Sequence, residues 1–531
     1  MNKLITLVFF LAAFAVNSQD QLDVIDVFRY RIYLDVSDEY DTIVVDEQIY
    51  AELRKHVDSF YLDLHSLKAG FGMTVSKVEL QSTGRQVPVS YSHTDNKLWI
   101  AASDIAVESE FMIEIRFSGI PETGLIIGEN KFGQRTFFGD NWPDRAHHWF
   151  ACVDHPSDKA TVSFSVTYPK KYDVVATGNL IKNAYTDDKN TVYYVSDIDL
   201  PTKVMVVGIA EFDRKPIYHS NSGLFPMTAW VYEDDSENGF KDMAVAADVV
   251  NYFVKMMGPY PFEKLDHVQS TTQFGGMENA GNIFYDENAV TGKEDMEALI
   301  AHEVAHQWFG NSASEADWQH IWLSEGFATY FTDLYWESKY GTEAMNERLI
   351  GERNRVIKFS REYRHPIVDT TYESLMDLLN PHSYQKGAWV LHMLRNEIGD
   401  SAFWKGIRSY YDRYKFSNAT SADFQAIVER ESKTDLDVFF NQWLKEAGHP
   451  MLLINNKSKR KKTVLTIEQV QDSHVFDFDL DVKMIYADGT SEIKTFAISR
   501  KKECFELGLE KKITGFKYDP NVKLLFEGVE R

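Results

Sequence analysis

The spacing of apolar positions changes period twice along this chain. From about Gln21 to Phe212, apolar and polar residues alternate in short runs such as FRYRIYLDV, FMIEIRFSG and TVSFSVTYP, parted by turn residues. A period of two sends successive side chains to opposite faces, so an all-β region is expected. Beyond Phe225 the apolar positions recur every three or four residues, in FKDMAVAADVVNYFVKMMG, EDMEALIAHEVAHQWFG, IWLSEGFATYFTDLYWESKYG and KGAWVLHMLRNEIGD. That is the period of amphipathic helices, and several of these runs stop at glycine. From His449 alternation returns in MLLINN, KTVLTIEQV, VFDFDLDVKMIYADG and TSEIKTFAIS, with ADG as a turn. A small β-sandwich is expected there. At 531 residues the chain exceeds what one hydrophobic core organises. The expectation is a multidomain α+β protein: a signal peptide over 1–19, an N-terminal β-sheet domain over 20–212, a mostly helical domain over 213–447 and the sandwich over 448–531.

The leader MNKLITLVFFLAAFAVNSQD carries Lys3, an apolar run from Leu4 to Val16 and then small or polar residues. It reads as a secretory signal peptide cleaved between Asn17 and Gln19, with an uncleaved anchor as the competing reading. The run is shorter than the roughly 20 residues of a spanning helix. Export to the periplasm or the medium is therefore expected, with no membrane insertion after cleavage. The 56 basic and 80 acidic residues leave a formal charge of −24, which disfavours nucleic acid and anionic membranes as partners. The one basic run, NNKSKRKK from Asn455 to Lys462, is expected to be a solvated hairpin loop. Cys152 and Cys504 form no CxxC pattern, so no disulfide framework is expected, and whether the two pair is left open. Oligomeric state has no signal in the sequence.

Chemistry concentrates in LIAHEVAHQWFGN, Leu299 to Asn311. Residues four apart share a helix face with Cβ atoms about 5–6 Å apart, so His302 and His306 can direct their rings at one cation. Glu303 then stands at the edge of the same site, where a carboxylate can hold a water. Catalytic zinc takes three protein ligands and keeps one position open. WLSEGFATYF supplies Glu325, with eighteen residues between it and His306, enough to turn into a neighbouring helix. The HExxHxxGxxH alternative is absent, because Phe309 and Ser312 occupy its glycine and third histidine positions. Upstream, TQFGGMENAGNIFY has glycines that allow close backbone approach, and Glu278 among apolar neighbours, where a carboxylate suits an ammonium group. Downstream, Tyr384 in HSYQKGAWVLHML precedes a helix, placed to donate to a developing oxyanion.

HEVAH with Glu eighteen residues on, GGMEN, YQKGA, GPYPFEKLD and HHWFACVDHPSDKA, in this order, resemble the aminopeptidase N and leukotriene hydrolase family of gluzincin zinc aminopeptidases, over essentially the whole mature chain. The resemblance implies a thermolysin-like central domain and hydrolysis of the N-terminal residue from peptides with a free N-terminus. It implies one Zn2+ per chain on His302, His306 and Glu325, with Glu303 as general base and Tyr384 stabilising the oxyanion. It places Glu278 on the substrate α-amine, Met277 beside the first side-chain pocket, and Gly275, Gly276 and Asn279 in the same substrate-binding segment. Two positions depart from the family. Trp142 stands near the position of a usual amine-binding glutamine or glutamate, with Asn141 as a candidate replacement, and Ser324 stands where asparagine is usual. Longer members carry a helical C-terminal domain over the site, and its absence here implies a more open one. Rival readings are a catalytically silent relative and a zinc endopeptidase, and an epoxide hydrolase side activity is a minor alternative.

Overall fold

The computed structural model describes residues 21–82, 85–186, 188–220, 223–459, 462–508 and 511–529. The expected signal peptide and its cleavage site lie outside these residues. Among them, no helix is long and apolar enough to cross a membrane.

The N-terminal region is all-β. Its largest sheet has eight strands, in the order Asn179–Tyr185, Lys189–Pro201, Lys159–Pro169, Ile25–Asp35, Ile43–Leu53, Glu110–Ile120, Gly72–Ser82 and Arg85–Pro88. All neighbours are antiparallel except Ile25–Asp35 beside Lys159–Pro169. Ile43–Leu53 alternates between buried and half-buried at every residue, which is the period of two in the sequence. A second sheet, of four strands, carries Arg135–Asp140, and the turn after it delivers Asn141 and Trp142.

The central region departs from the helical expectation at its start. Five strands form a sheet there, in the order Phe212–Pro216, Met227–Tyr232, Leu265–Ser270, Asn282–Asp286 and Gly276–Met277. The second, third and fourth run parallel. Leu265–Ser270 is buried at every residue although Asp266, His267, Gln269 and Ser270 are polar, so a parallel strand covered on both sides shows here neither alternation nor an apolar run. Gly276–Met277 forms the edge of this sheet.

The first expected helix, Ala246–Met257, lies between strands of this sheet, and from Glu297 onward Glu297–His306, Trp322–Tyr340, Thr342–Ser360, Gly387–Ile398, Asp400–Tyr414 and Ser421–Ser432 follow. Trp322–Tyr340 is buried without a break from Trp322 to Tyr335, so neighbours cover it on all sides, and Ser324, Glu325, Thr329, Thr332 and Asp333 are polar residues inside that stretch. It packs between Glu297–His306 and Gly387–Ile398. The second contact is backbone against backbone: a Cβ on Gly326 would lie 2.9 Å from the Gly387 Cα. Only glycine allows two helices so close.

The chain closes with two sheets, one of four strands built around Met451–Lys459 and Lys462–Gln469, the other of three around Phe478–Tyr486. Leu465, Ile467, Leu480, Val482, Met484 and Phe496 are buried between them. The basic run NNKSKRKK lies mainly on the paired ends of the two hairpin strands and not in a long loop. Cys152 is buried, Cys504 is exposed, and both are free thiols. Besides the main core, a second apolar cluster brings Phe138, Trp142 and Val206 of the N-terminal region onto Met277, Phe284 and Trp318. It joins the β region to the central one beside the site described next.

Candidate active site

His302 and His306 lie one turn apart on Glu297–His306, and Glu325 lies in the first turn of Trp322–Tyr340. The intervening chain folds back through Ala313–Glu315 and a short turn at Trp318–His320, so the two helices lie side by side. Their side chains converge. The two Nε2 atoms are 3.1 Å apart, and Glu325 Oε2 is 3.4 Å from His302 Nε2 and 3.3 Å from His306 Nε2. The imidazole planes cross at 83°, so both lone pairs can address one point.

Ligands of tetrahedral zinc, with bonds of about 2.0–2.1 Å, stand roughly 3.3 Å from one another. The observed spacing matches. Glu325 Oε2 is buried and accepts no hydrogen bond from a described group, as a metal ligand's donor atom should. On His306 the other nitrogen, Nδ1, is 3.0 Å from Ser324 Oγ and 3.2 Å from the Phe309 carbonyl. A proton donated there leaves Nε2 with its lone pair toward Glu325. The donor set of two imidazoles and one carboxylate therefore fits a zinc ion.

Glu303, Glu278 and His306 form an overlapping group, with one donor atom of each within 4.8 Å of the others. Burial pushes the Glu303 carboxyl well above its usual range, against the pull of His306, with Glu278 and Glu325 adding to the rise. Burial likewise raises Glu278. Glu325 is held well below the usual carboxylate range: His306 and His302 together outweigh its burial. Burial opposes protonation of His306, but Glu325, Glu278 and Glu303 around it bring it up to about 10. The three carboxylates thus form one acidic pocket around the imidazoles. Glu278 Oε1 is buried with no donor among the described residues.

Tyr384 sits in a wide, π-type turn, His382–Lys386, that feeds Gly387–Ile398. Its ring stacks on His302 with centroids 6.0 Å apart. Burial, then Glu325, Glu278 and Glu303, raise its phenol well above the ordinary value, so it stays protonated and able to donate.

A cavity of about 280 Å³ unites these groups. Gly275, Gly276, Met277, Glu278, His302, Glu303, His306, Glu325 and Tyr384 all line it, so the structure brings together nearly every residue expected from the sequence. Asn279 is the exception. It is wholly buried and does not line the cavity, and its carbonyl accepts from the Asn282 amide to close the turn after Glu278. Asn141 is corrected too. Its amide donates to the Thr202 and Met205 carbonyls and its oxygen accepts from Trp149, so its polar atoms are committed inside the fold. Trp142 lines the cavity in its stead.

Sequence reasoning missed two amides that clamp GGMEN onto the histidine helix. Gln307 Nε2 and Asn311 Nδ2 both donate to the Glu278 carbonyl, at 2.7 and 2.6 Å. Gln307 Oε1 also accepts from the Gly281 amide and the Tyr260 hydroxyl. Both amides lie in the HEVAHQWFGN run, but their partner lies about thirty residues away, beyond any local pattern. Phe274, Leu299 and Leu379 complete the cavity wall. Leu299 has a sequence signal, three residues before His302 and so on its face of the helix; Leu379 has none.

Two family profiles match the chain: the peptidase M1 N-terminal domain over residues 28–203 and the peptidase family M1 domain over residues 242–443. Similar curated proteins include glutamyl aminopeptidase of Homo sapiens, 30% identical over 60% of this chain and 34% of its own length. Probable aminopeptidase 2 of Sulfurisphaera tokodaii is 28% identical over 82% of this chain and 55% of its own length. Aminopeptidase M1-B of Oryza sativa subsp. japonica is 31% identical over 58% and 36%. The chain thus spans about a third to just over half of the length of these relatives.

Proposed function

The chain belongs to the M1 peptidase family, and from that premise we propose that it is a zinc-dependent aminopeptidase, releasing the first residue of peptides that have a free N-terminus. The observation that carries the reading is the pairing, in one cavity, of a three-ligand cluster with a buried carboxylate oxygen on Glu278 that has no donor among the described residues.

His302, His306 and Glu325 would hold the ion. When bound, zinc supplies a water acidified to a pKa of about 7 and a Lewis acid for the scissile carbonyl. Glu303 takes the proton of the attacking water on its carboxylate and returns it to the leaving amine, a task favoured by a carboxyl whose affinity for protons is raised by burial. Tyr384 donates from its hydroxyl to the carbonyl oxygen as that atom gains charge. Glu278 accepts from the substrate ammonium. An internal peptide segment offers no cation there, so it would leave a buried carboxylate unpaired. The open edge at Gly276–Met277 gives the substrate backbone a strand to pair with.

On the same reading, residues 1–19 are an export signal, and residues 20–212, 213–447 and 448–531 are the three working units. A chelator should abolish release of a residue from a free-amine peptide, and added zinc should restore it. The N-acetylated peptide should stay intact throughout. Internal cleavage of that blocked peptide would make the protein an endopeptidase, and stoichiometric zinc without hydrolysis would make it a silent relative.

A further inference from the structure

The cavity is chemically two-sided. One side carries the carboxylates, imidazoles and phenol of the reaction. The other is apolar: Trp142, Phe274, Met277, Leu299 and Leu379. Trp142 and Met277 are each only 3% exposed, and both belong to the apolar cluster that ties the β region to the central one. That wall is therefore rigidly backed. The Trp142 ring lies edge-on against Trp318, with centroids 6.1 Å apart, and its indole N–H has no acceptor among the described residues, so packing alone holds it.

Charge completes the picture. Among the described residues, no lysine or arginine lines the cavity. Two cations lie behind its wall, and both are committed. Lys203, 6.0 Å from the Trp142 ring, is buried in an ion pair with Glu315. Arg145, 5.6 Å from the Phe274 ring, binds Asp140 at 2.5 Å, the Trp142 carbonyl, Thr123 and Gln273. With Glu325 on the ion and Glu278 on the substrate amine, a carboxylate on the first substrate residue would still face Glu303 and find no free lysine or arginine among the described residues, and desolvating it there is costly.

Resting on the aminopeptidase reading above, we propose that Trp142 is the chief wall of the pocket for the first side chain, and that this site selects aromatic and long apolar first residues and rejects acidic ones. An indole in place of an amide or carboxylate converts this corner from a second polar anchor for the amine into a stacking surface. The amine is then left to Glu278. Burial of a phenylalanyl or leucyl side chain against the wall should favour it over alanyl by about 10- to 100-fold in kcat/KM.

The test uses the full zinc-loaded chain and five fluorogenic aminoacyl amides: phenylalanyl, leucyl, alanyl, lysyl and glutamyl. Phenylalanyl and leucyl should lead, and glutamyl should fall at least about 100-fold behind. Trp142→Ala should cut the phenylalanyl-to-alanyl ratio about tenfold, mainly through KM, whereas a merely structural role would lower all substrates together through kcat. Leu379→Ala, at a half-buried position of the same wall, should narrow the ratio in the same direction if Trp142→Ala does not fold. Calorimetric binding of Phe-Ala and Glu-Ala to the Glu303→Gln variant reads the pocket without turnover. Tighter binding of Phe-Ala in a protein that hydrolyses nothing would sustain the pocket and sink the activity. Hydrolysis led by glutamyl or lysyl, or ratios untouched by both wall variants, would overturn the pocket and leave the activity standing.

Discussion

The sharpest test of how the general base is held is a single methyl group on Gly276. A Cβ at this position would lie 2.4 Å from Glu303 Oε1, 2.6 Å from its Cδ and 2.7 Å from its Cγ. Ordinary contacts begin at 3.4 Å, so the carboxylate must retreat by about 1 Å or the edge strand must lift by as much. Displacing a reacting group by about 1 Å costs roughly 10²-fold in rate, or about 2.7 kcal/mol of barrier. The three atoms nearest the new Cβ all belong to Glu303 and none to a zinc ligand, so zinc content should be unchanged. Gly276 does not have a positive φ, so its backbone tolerates alanine. Gly275→Ala is the matched control: its Cβ would meet nothing nearer than Leu299 Cδ1 at 3.9 Å. We expect Gly276→Ala to lose about 10²-fold in kcat/KM on a free-amine substrate, with zinc by atomic emission and the melting temperature near wild type. Gly275→Ala should stay within about threefold, roughly 0.65 kcal/mol. Were the two variants equally active, or were activity in Gly276→Ala lost only in step with zinc, the carboxylate would not be seated against this strand.

The other expectations are simpler to state. Tyr384→Phe should lower kcat by about 10²- to 10³-fold with little change in KM, and a change confined to KM would remove the phenol from the oxyanion role. Glu278→Ala should make free-amine and N-acetylated peptides comparably poor substrates, and a preserved preference for the free amine would point to another anchor. Glu325→Ala should weaken zinc binding at equilibrium dialysis by more than the roughly 10- to 100-fold that loss of a ligand's outer hydrogen-bond partner costs, and unchanged affinity would dismiss it as a ligand. Stability should fall in acid. Burial lowers His267 and His382 to about 3 and His392 to about 4, while the unfolded chain takes up these protons near pH 6.5. The stabilisation is therefore complete above pH 6.5 and drains away as pH falls toward 4, by about 1.4 kcal/mol per pH unit for each ring. Urea unfolding of His267→Gln should show a slope flatter by about one proton between pH 6 and pH 4.5, and curves parallel to wild type would refute the assignment.

What the sequence made legible, and what it hid, follows from the range of each interaction. The spacing of His302 and His306 on one helix face is local geometry, and a period of 3.6 encodes it directly. Glu325 is nearly as local, because its helix is the next one along the chain. The alternating strands of both β regions were legible for the same reason, each having one wet face. The parallel strands Leu265–Ser270 and Asn282–Asp286 were not, since burial on both sides erases the contrast that a pattern needs. Trp142 marks the deeper limit. Its neighbour Asn141 is the polar residue a sequence argument would choose for a polar site, yet the strand that ends at Asp140 turns Asn141 inward to cap the Thr202 and Met205 carbonyls. Once those backbone groups are buried they must find donors, and the nearest side chain that supplies one is no longer free for a ligand. The tryptophan beside it, with no such obligation, is what reaches the cavity. Which residue of a neighbouring pair faces a substrate is thus decided by the hydrogen-bond needs of distant backbone, and those needs become visible only when the chain is folded.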